Sequence, residues 1–353
     1  MAYTTIDDPS VYFQIALYTS NDTNRTITND GNSDLQPDFL WGKSRSFAED
    51  HNLVNTLIGV NKYQVSNTNA AEASDTDRVT GVTSDGFSIG TDHRWNRESD
   101  SNMVVWQWKG TGGTRTAFAS EADNANNEYD LHVNQAAGFS INAYVGTGAN
   151  STVPHGLGAA PDFVVTKQRS QGSRGWTTWT NALAGNQALD LNETNGVYTS
   201  ATSWNSTVPS SSAISLGTRV GTNEDGRNFI MYCFKSIQGY SKIGSYIGNG
   251  STDGTFVYTG FKPGWLMVKG ISANSREWFL FDGKRDPANP FNKYVKAESS
   301  DAEASSNFGD FLSNGFKVRS DGASYNTSGQ TFIYYAIAEH PFVSSKGTPV
   351  TAR

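Results

Sequence analysis

Apolar positions fall in short blocks along the 353-residue chain, separated by polar turns. The blocks are about four to eight residues long and rich in Phe, Tyr, Trp, Val and Ile. Asn-Gly, Asp-Gly and Gly-Asn pairs mark the turns between them, which predicts β-strands and hairpins. One block stands out: Phe261-Lys-Pro263-Gly-Trp265-Leu-Met-Val-Lys269, an apolar strand that enters after a proline and leaves at a lysine. The same phrase is written as Ala160-Pro161-Asp-Phe163-Val-Val-Thr-Lys167 and as Gln36-Pro37-Asp-Phe39-Leu-Trp-Gly-Lys43. In each copy an aromatic residue follows two positions after the proline and a lysine six positions after it.

The three phrases anchor three units. Their opening strands are Phe13 to Tyr18, Phe139 to Tyr144 and Tyr240 to Tyr246. The last two run on into Gly146-Thr-Gly148 and Gly248-Asn-Gly250, and unit one has Ser20-Asn21 in that place. The closing strands are Asn102 to Lys109, Asn228 to Lys235 and Thr331 to Glu339. From anchor proline to closing charge the units span 72, 74 and 76 residues (Pro37 to Lys109, Pro161 to Lys235, Pro263 to Glu339). Trp176 and Trp278 each lie 15 residues after their prolines, and unit one has no aromatic there. Asn314-Gly315-Phe316 matches Asp85-Gly86-Phe87.

A period near 100 residues is too long for a solenoid repeat or a propeller blade. The pattern predicts an all-β chain of three tandem β-sandwich domains, jelly-roll or immunoglobulin-like, each with its own core. The expected boundaries are a lead-in over 1–12, unit one over 13–109, a linker or long loop over 110–137, unit two over 138–236, unit three over 237–343 and a surface-laid or mobile tail over 344–353. The best helix candidate is Ser300 to Ser306, one or two turns at most.

Composition agrees. Charged residues are 17%, aromatics 12%, and there are 35 glycines, the profile of many short strands and polar turns. The net charge of −7 and the absence of a basic cluster speak against nucleic acid and against an anionic membrane surface as partners. The single cysteine, Cys233, lies in the apolar run Phe229 to Phe234 and reads as a small buried hydrophobe. The start has neither a charged n-region nor an apolar h-region, and no stretch approaches the ~20 apolar residues of a membrane-spanning helix. The expectation is a protein synthesised in a host cytoplasm without a cleaved signal or membrane insertion.

Tyr246 to Gly250, Gly260 to Pro263, Asp310 to Lys317, Ala338 to Val343 and the Thr-Ala-Arg terminus resemble a family of repeated β-domain proteins abundant in marine bacteriophage genomes. The resemblance covers nearly the whole chain and is strongest in unit three. Members of that family are found among virion structural genes, often near tail genes, and have no established activity. The resemblance implies a virion protein, with the tail favoured over the capsid, and other virion proteins as partners.

The chemistry in the sequence is sparse. His51, His93, His132, His155 and His340 do not pair at metal-ligand spacing, there is no Cys/His cluster, and no metal or cofactor is expected. No Gly-x-Ser-x-Gly elbow or P-loop is present. Asp282, Asp286, Asp301, Glu303 and Asp310 gather in unit three and raise the possibility of a glycosidase pair, but units one and two lack the matching set, so no catalytic residue is assigned. Asp30-Gly-Asn32-Ser-Asp34 alternates oxygen ligands but reads as an Asx-rich turn. Trp95, Trp204 and Tyr325 lie between strand signals beside Arg, Asn or Asp and are the candidate ligand-binding residues, placed to stack on sugar rings. The expected function is a non-enzymatic tail appendage, a fibre- or spike-associated adhesin, contacting a host surface glycan or receptor. By analogy with tail fibres it would be a homotrimer. The alternatives are a capsid decoration or tail connector of purely structural role, and a polysaccharide depolymerase.

Overall fold

The computed structural model describes residues 3–97, 101–111, 116–118 (main chain only) and 129–350. The fold is nearly all β, with 44% of residues in strands and 5% in helices. The same four strands recur in the same spatial order in every unit: opening, closing, anchor and the strand that follows the anchor, all antiparallel. In unit one these are Phe13–Thr19, Asn102–Trp108, Phe39–Ser44 and Asn52–Asn55. In unit two they are Phe139–Val145, Asn228–Phe234, Phe163–Gln168 and Trp176–Thr180. In unit three they are Ser241–Ile247, Thr331–Pro341, Phe261–Gly270 and Trp278–Asp282. In unit one a small outer sheet of Arg25–Thr28, Gly86–Ile89 and Val79–Thr83 covers the far face of this one.

The closing and anchor strands are buried at nearly every position because both of their faces are covered. Alternate side chains of Thr331–Pro341 show how. Ile333, Tyr335 and Ile337 join a core cluster drawn from all three units, and Phe332, Tyr334, Ala336 and Ala338 join a cluster confined to unit three. In unit one Val104, Trp106 and Trp108 face the shared cluster, and Val105 packs with Leu40, Phe87 and Trp95 of its own unit. The expectation that each unit has its own core holds in part: units one and three keep clusters of their own between their two layers, and the inner sheets of all three units also pack against one another on one common core. Within it is a small cavity of about 30 Å³ lined by apolar side chains, among them Phe39, Trp108, Phe163, Tyr232, Trp265 and Tyr335.

Three further expectations differ. The segment expected to be a linker contributes Thr116–Phe118 and Tyr129–Asn134, which extend unit two's sheet by pairing in turn onto Phe139–Val145. The part of that expectation over 112–115 and 119–128 lies outside the described residues. Ser300 to Ser306 is not helical; the strand Ala304–Leu312 begins inside it. Among the described residues the α-helices are instead three single turns, His93–Asn96, Val220–Asn223 and Ala323–Asn326, one ahead of each closing strand. The lead-in is partly inside the body, with Thr4 and Ile6 buried and Pro9–Val11 forming a 3₁₀ turn. The tail folds back as far as Ser345, which donates to the Asp7 carboxylate, and residues 351–353 lie outside the described set.

Candidate functional site

The three candidate sugar-stacking residues are structural. Trp95 and Trp204 are fully buried and Tyr325 is 7% exposed. Trp95 and Tyr325 sit in the single helical turns, and a repeated tyrosine ties each turn to the opening strand. The Tyr18, Tyr144 and Tyr246 hydroxyls donate to the carbonyls of Trp95, Thr222 and Tyr325 at 2.9, 2.6 and 2.6 Å. The next residue in each turn is a buried asparagine. The Asn96, Asn223 and Asn326 side-chain carbonyls accept from the main-chain N–H of Asn21, Thr147 and Asn249 at 2.9, 2.9 and 3.0 Å. Their amide groups donate to nearby main-chain carbonyls, Gly90, Gly217 and Ser320 respectively. Unit one keeps this bond although Ser20-Asn21 replaces the Gly-x-Gly of the other two. Trp95 needs a bare anchor strand beside it, since a Cβ on Gly42 would lie 2.7 Å from its ring. Unit three has Val268 at that position and the smaller Tyr325. The sequence signal for these asparagines was present, since each stands five or six residues before its closing strand, but an Asn in an Asn-rich chain does not announce burial.

The repeated lysine and the residue opposite it build the seams between units. Trp176, paired with Lys167, donates its indole N–H to the Val65 carbonyl of unit one at 2.9 Å. Trp278, paired with Lys269, donates to the Asp190 carbonyl of unit two at 3.2 Å. In unit one the place is taken by His51: its Nδ1 accepts from the Trp41 indole at 2.8 Å, so Nε2 carries the proton and donates to the Lys296 carbonyl of unit three at 2.9 Å. Burial among these groups holds the His51 imidazole neutral, its pKa far below the usual value. A tryptophan and a histidine thus do one task, which a search for aromatic spacing alone cannot see. The units follow one another in a closed ring, two on one, three on two and one on three.

A second repeated contact reinforces two seams. Arg45 and Arg169 each lie eight residues beyond their proline and grip Glu303 and Glu72 of the neighbouring unit through two N–H groups. The same glutamates donate their main-chain N–H back to the arginine carbonyls at 2.8 and 2.9 Å.

The anchor lysines lie fully buried at these seams. Lys43 Nζ donates to the Ser44 and Phe47 carbonyls at 2.7 and 3.2 Å. Lys167 donates to those of Arg174 and, across the seam, Asn69, at 2.7 and 3.2 Å. Lys269 donates to those of Arg276 and, across the seam, Thr194. Burial lowers all three pKa values to about 8. The unfolded chain holds these protons up to the ordinary lysine value near 10.5, so between about pH 8 and 10.5 it binds more protons than the folded one and stability rises with pH. Burial raises the pKa of Tyr232 and Tyr335, so above about pH 10 ionisation in the unfolded chain removes stability. Glu298, raised to about 7 by burial, acts only below that window. Urea denaturation should therefore find greatest stability near pH 9–10, on the order of several kcal/mol above that at pH 7. Lys269→Met should remove about a third of the rise. A flat wild-type profile between pH 7 and 9.5 would show that these ammonium groups are not held charged in a dry seam.

Covalent connectors cross two of the three seams, and the third differs in kind. In units one and two the residue after the anchor proline is an aspartate. Asp38 accepts from the Gly110 and Thr111 N–H at 2.7 and 2.8 Å, and Asp162 from the Ser236 N–H at 2.8 Å, pinning the chain as it leaves each unit. Thr56 and Asn181 donate to the same carboxylates at 2.8 and 2.9 Å. Unit three has Gly264 and Gly283 in these two places. The equivalence is fixed by a shared main-chain bond, Thr56 to Asp38, Asn181 to Asp162 and Gly283 to Gly264. Two missing side chains leave a cleft of about 330 Å³ between units three and one, bordered by Phe13, Gln14, Asp30, Lys284 and Glu339. The acid has moved to Glu339, which pairs with Lys262 at 2.6 Å. Asp30, from the turn considered for calcium, pairs with Lys284.

The remaining candidates resolve as follows. Each of the five unit-three carboxylates considered above is engaged with a cation or a main-chain N–H: Asp282 and Glu303 with Arg285, Asp310 with Arg319, Asp286 with the Asn292 and Lys293 N–H, Asp301 with Lys296 at 3.9 Å. His155 is buried between the Leu157 N–H and the Ser210 carbonyl. Cys233 is buried and its thiol is pushed up to about 12 by desolvation. Among the described residues no cluster of three or more His, Cys, Asp or Glu is placed to hold a metal, and no helix is long and apolar enough to cross a membrane.

No curated protein matches the chain in sequence. Among solved structures, the crystal structure of the STIV MCP, a viral major capsid protein, aligns over 64% of this chain and 91% of that one at 9% identity. Its TM-score of 0.16 does not establish a common fold. A single family model spans residues 8–341, all three units together, and the chain belongs to that family, the domain of unknown function DUF7483.

Proposed function

We propose that the protein is a structural component of a bacteriophage particle, a rigid block of three two-layered β units. The observation that supports this best is the shared core: the inner sheets of three units are spent on each other, and the aromatic residues that would have stacked on sugars hold the units closed. Such a body resists deformation and keeps its outer faces for neighbours. The threefold arrangement that a tail-fibre analogy assigns to three copies arises here within one chain. The sequence resemblance supplies the particle context and favours the tail, as an appendage or connector, over the capsid. The burial of Trp95, Trp204 and Tyr325 removes the residues that favoured glycan contact, and the engaged carboxylates of unit three give no support to a depolymerase.

Antibody-gold labelling of purified particles tests the proposal. Gold at the tail is the expected result, and its place along the tail separates a distal host-contact role from a connector. Gold over the head would move the protein to capsid decoration. Particles without the protein would overturn the reading.

A further inference from the structure

The three units present the same strand at one end of their outer layer, and among the described residues one of these three strands carries neither a charge nor a proline. The strands are Arg25–Thr28, Ser151–Pro154 and Phe256–Tyr258. Each closes its sheet order as an edge. Each has an inward apolar residue, Ile27, Val153 or Val257, buried to 8% exposure or less. The residues flanking it face outward. In unit one they are Thr26 and Thr28, with Arg25 beside them; in unit two they are Thr152 and Pro154. Charge and proline are devices that stop an edge from pairing with another strand. In unit three the flanking residues are Phe256 and Tyr258, 44% and 56% exposed, with neither device.

Among the described residues no strand pairs with the outer side of this edge, although the Tyr3 hydroxyl meets that of Tyr258 at 3.3 Å. The Val318 N–H donates to the Thr255 carbonyl and the Thr259 N–H to the Asn314 carbonyl. Residues 255, 257 and 259 therefore turn their main-chain groups inward to the strand Gly315–Val318. By antiparallel alternation Phe256 and Tyr258 turn theirs to the open side. Ile247, 53% exposed, lies beside Thr255 through a hydrogen bond from the Thr255 hydroxyl, and the Tyr3 hydroxyl donates to the Gly260 carbonyl at the other end. The charges nearby are paired among themselves, Lys317 with Asp253 and Arg319 with Asp310.

The sequence of the edge names its partner. Thr255-Phe256-Val257-Tyr258-Thr259 reads nearly the same in both directions about Val257. We propose that this edge pairs with the same edge of a second copy about a twofold axis through Val257. In that register Phe256 lies opposite Tyr258 of the second copy, and each such pair exchanges two main-chain hydrogen bonds. All four rings gather on one face as cross-strand aromatic pairs, and the flanking threonines face one another at the ends. The contact is isologous and closes at two copies, joining two outer sheets into one. It goes beyond the particle reading and is tested apart from it, since it is read on the isolated full chain.

Sedimentation equilibrium of the full chain should give about twice 38.3 kDa at micromolar concentration. Phe256→Thr/Tyr258→Thr, which writes unit one's residues into the edge, should give a folded monomer, with folding checked by near-ultraviolet circular dichroism. The register is tested by mixing two single variants, Phe256→Cys and Tyr258→Cys. The mixture should form an intermolecular disulfide on mild oxidation, and neither variant alone should. A wild-type monomer across this range, a double variant that stays dimeric, or cross-linking of a single variant in preference to the mixture would each overturn the proposal.

Discussion

Replacing Trp108 by alanine should destabilise the whole chain by ~3–5 kcal/mol and leave one unfolding transition for all three units. Trp108 is 2% exposed and its ring meets side chains from every unit: Phe13 and Phe39 of unit one at 4.9 and 5.1 Å, Phe234 of unit two at 6.3 Å and Trp265 of unit three at 5.8 Å. Truncation removes the aromatic contacts and enlarges the apolar cavity beside it, which rigid sheets on three sides cannot collapse to fill. The loss is felt jointly because no unit owns the site. Scanning calorimetry is the measurement. A calorimetric enthalpy equal to the van't Hoff enthalpy, in wild type and variant, is the expected result. Three resolved transitions with only the first displaced would mean that the units fold on separate cores after all.

The second large effect is expected at Asp282, on the seam that lacks a covalent connector. Its carboxylate accepts from the Trp106 indole of unit one at 3.0 Å, from the Arg285 N–H at 2.8 Å and from Arg285 Nε at 2.5 Å. Arg285 also donates to Glu303 at 3.1 Å and to the Leu280 carbonyl at 2.9 Å, and Glu303 is held in turn by Arg45 of unit one. The Asp282 and Arg285 side chains are both fully buried. Asp282→Ala leaves the buried guanidinium without one of its three hydrogen-bond partners and the Trp106 indole without its acceptor, a loss of ~3–5 kcal/mol, whereas Asp282→Ala/Arg285→Met removes both charges and should recover most of it. Urea denaturation of the two variants decides. If the single variant costs under ~1 kcal/mol, this network does not hold units three and one together.

Much of the fold was legible in the chain. The Pro–aromatic–Lys phrase marked three anchor strands, and their pairing with the opening and closing strands follows the expected units, because strand signals depend on local alternation and turn residues. The apolar closing strand, Phe-Ile-Tyr-Tyr-Ala-Ile, announced burial on both faces. What covered the second face was not legible, because an apolar residue carries no label for the surface it meets. The site residues failed for the same reason from the other side: Trp95, Trp204 and Tyr325 stand in polar surroundings in sequence, and the neighbours that bury them arrive from strands distant in the chain.

The sequence by itself determined the all-β class, the threefold repetition and the lysine that ends each anchor strand, since all of these depend on residue type at short range or on regular spacing. Only the tertiary structure decided that the three units close on one core, that His51 stands in for a tryptophan and that the third seam keeps an open cleft where Gly264 and Gly283 replace larger residues. It also decided which of three equivalent edges is left bare. These depend on which surfaces meet across ~100 residues or more of chain, where burial energy acts and local pattern does not.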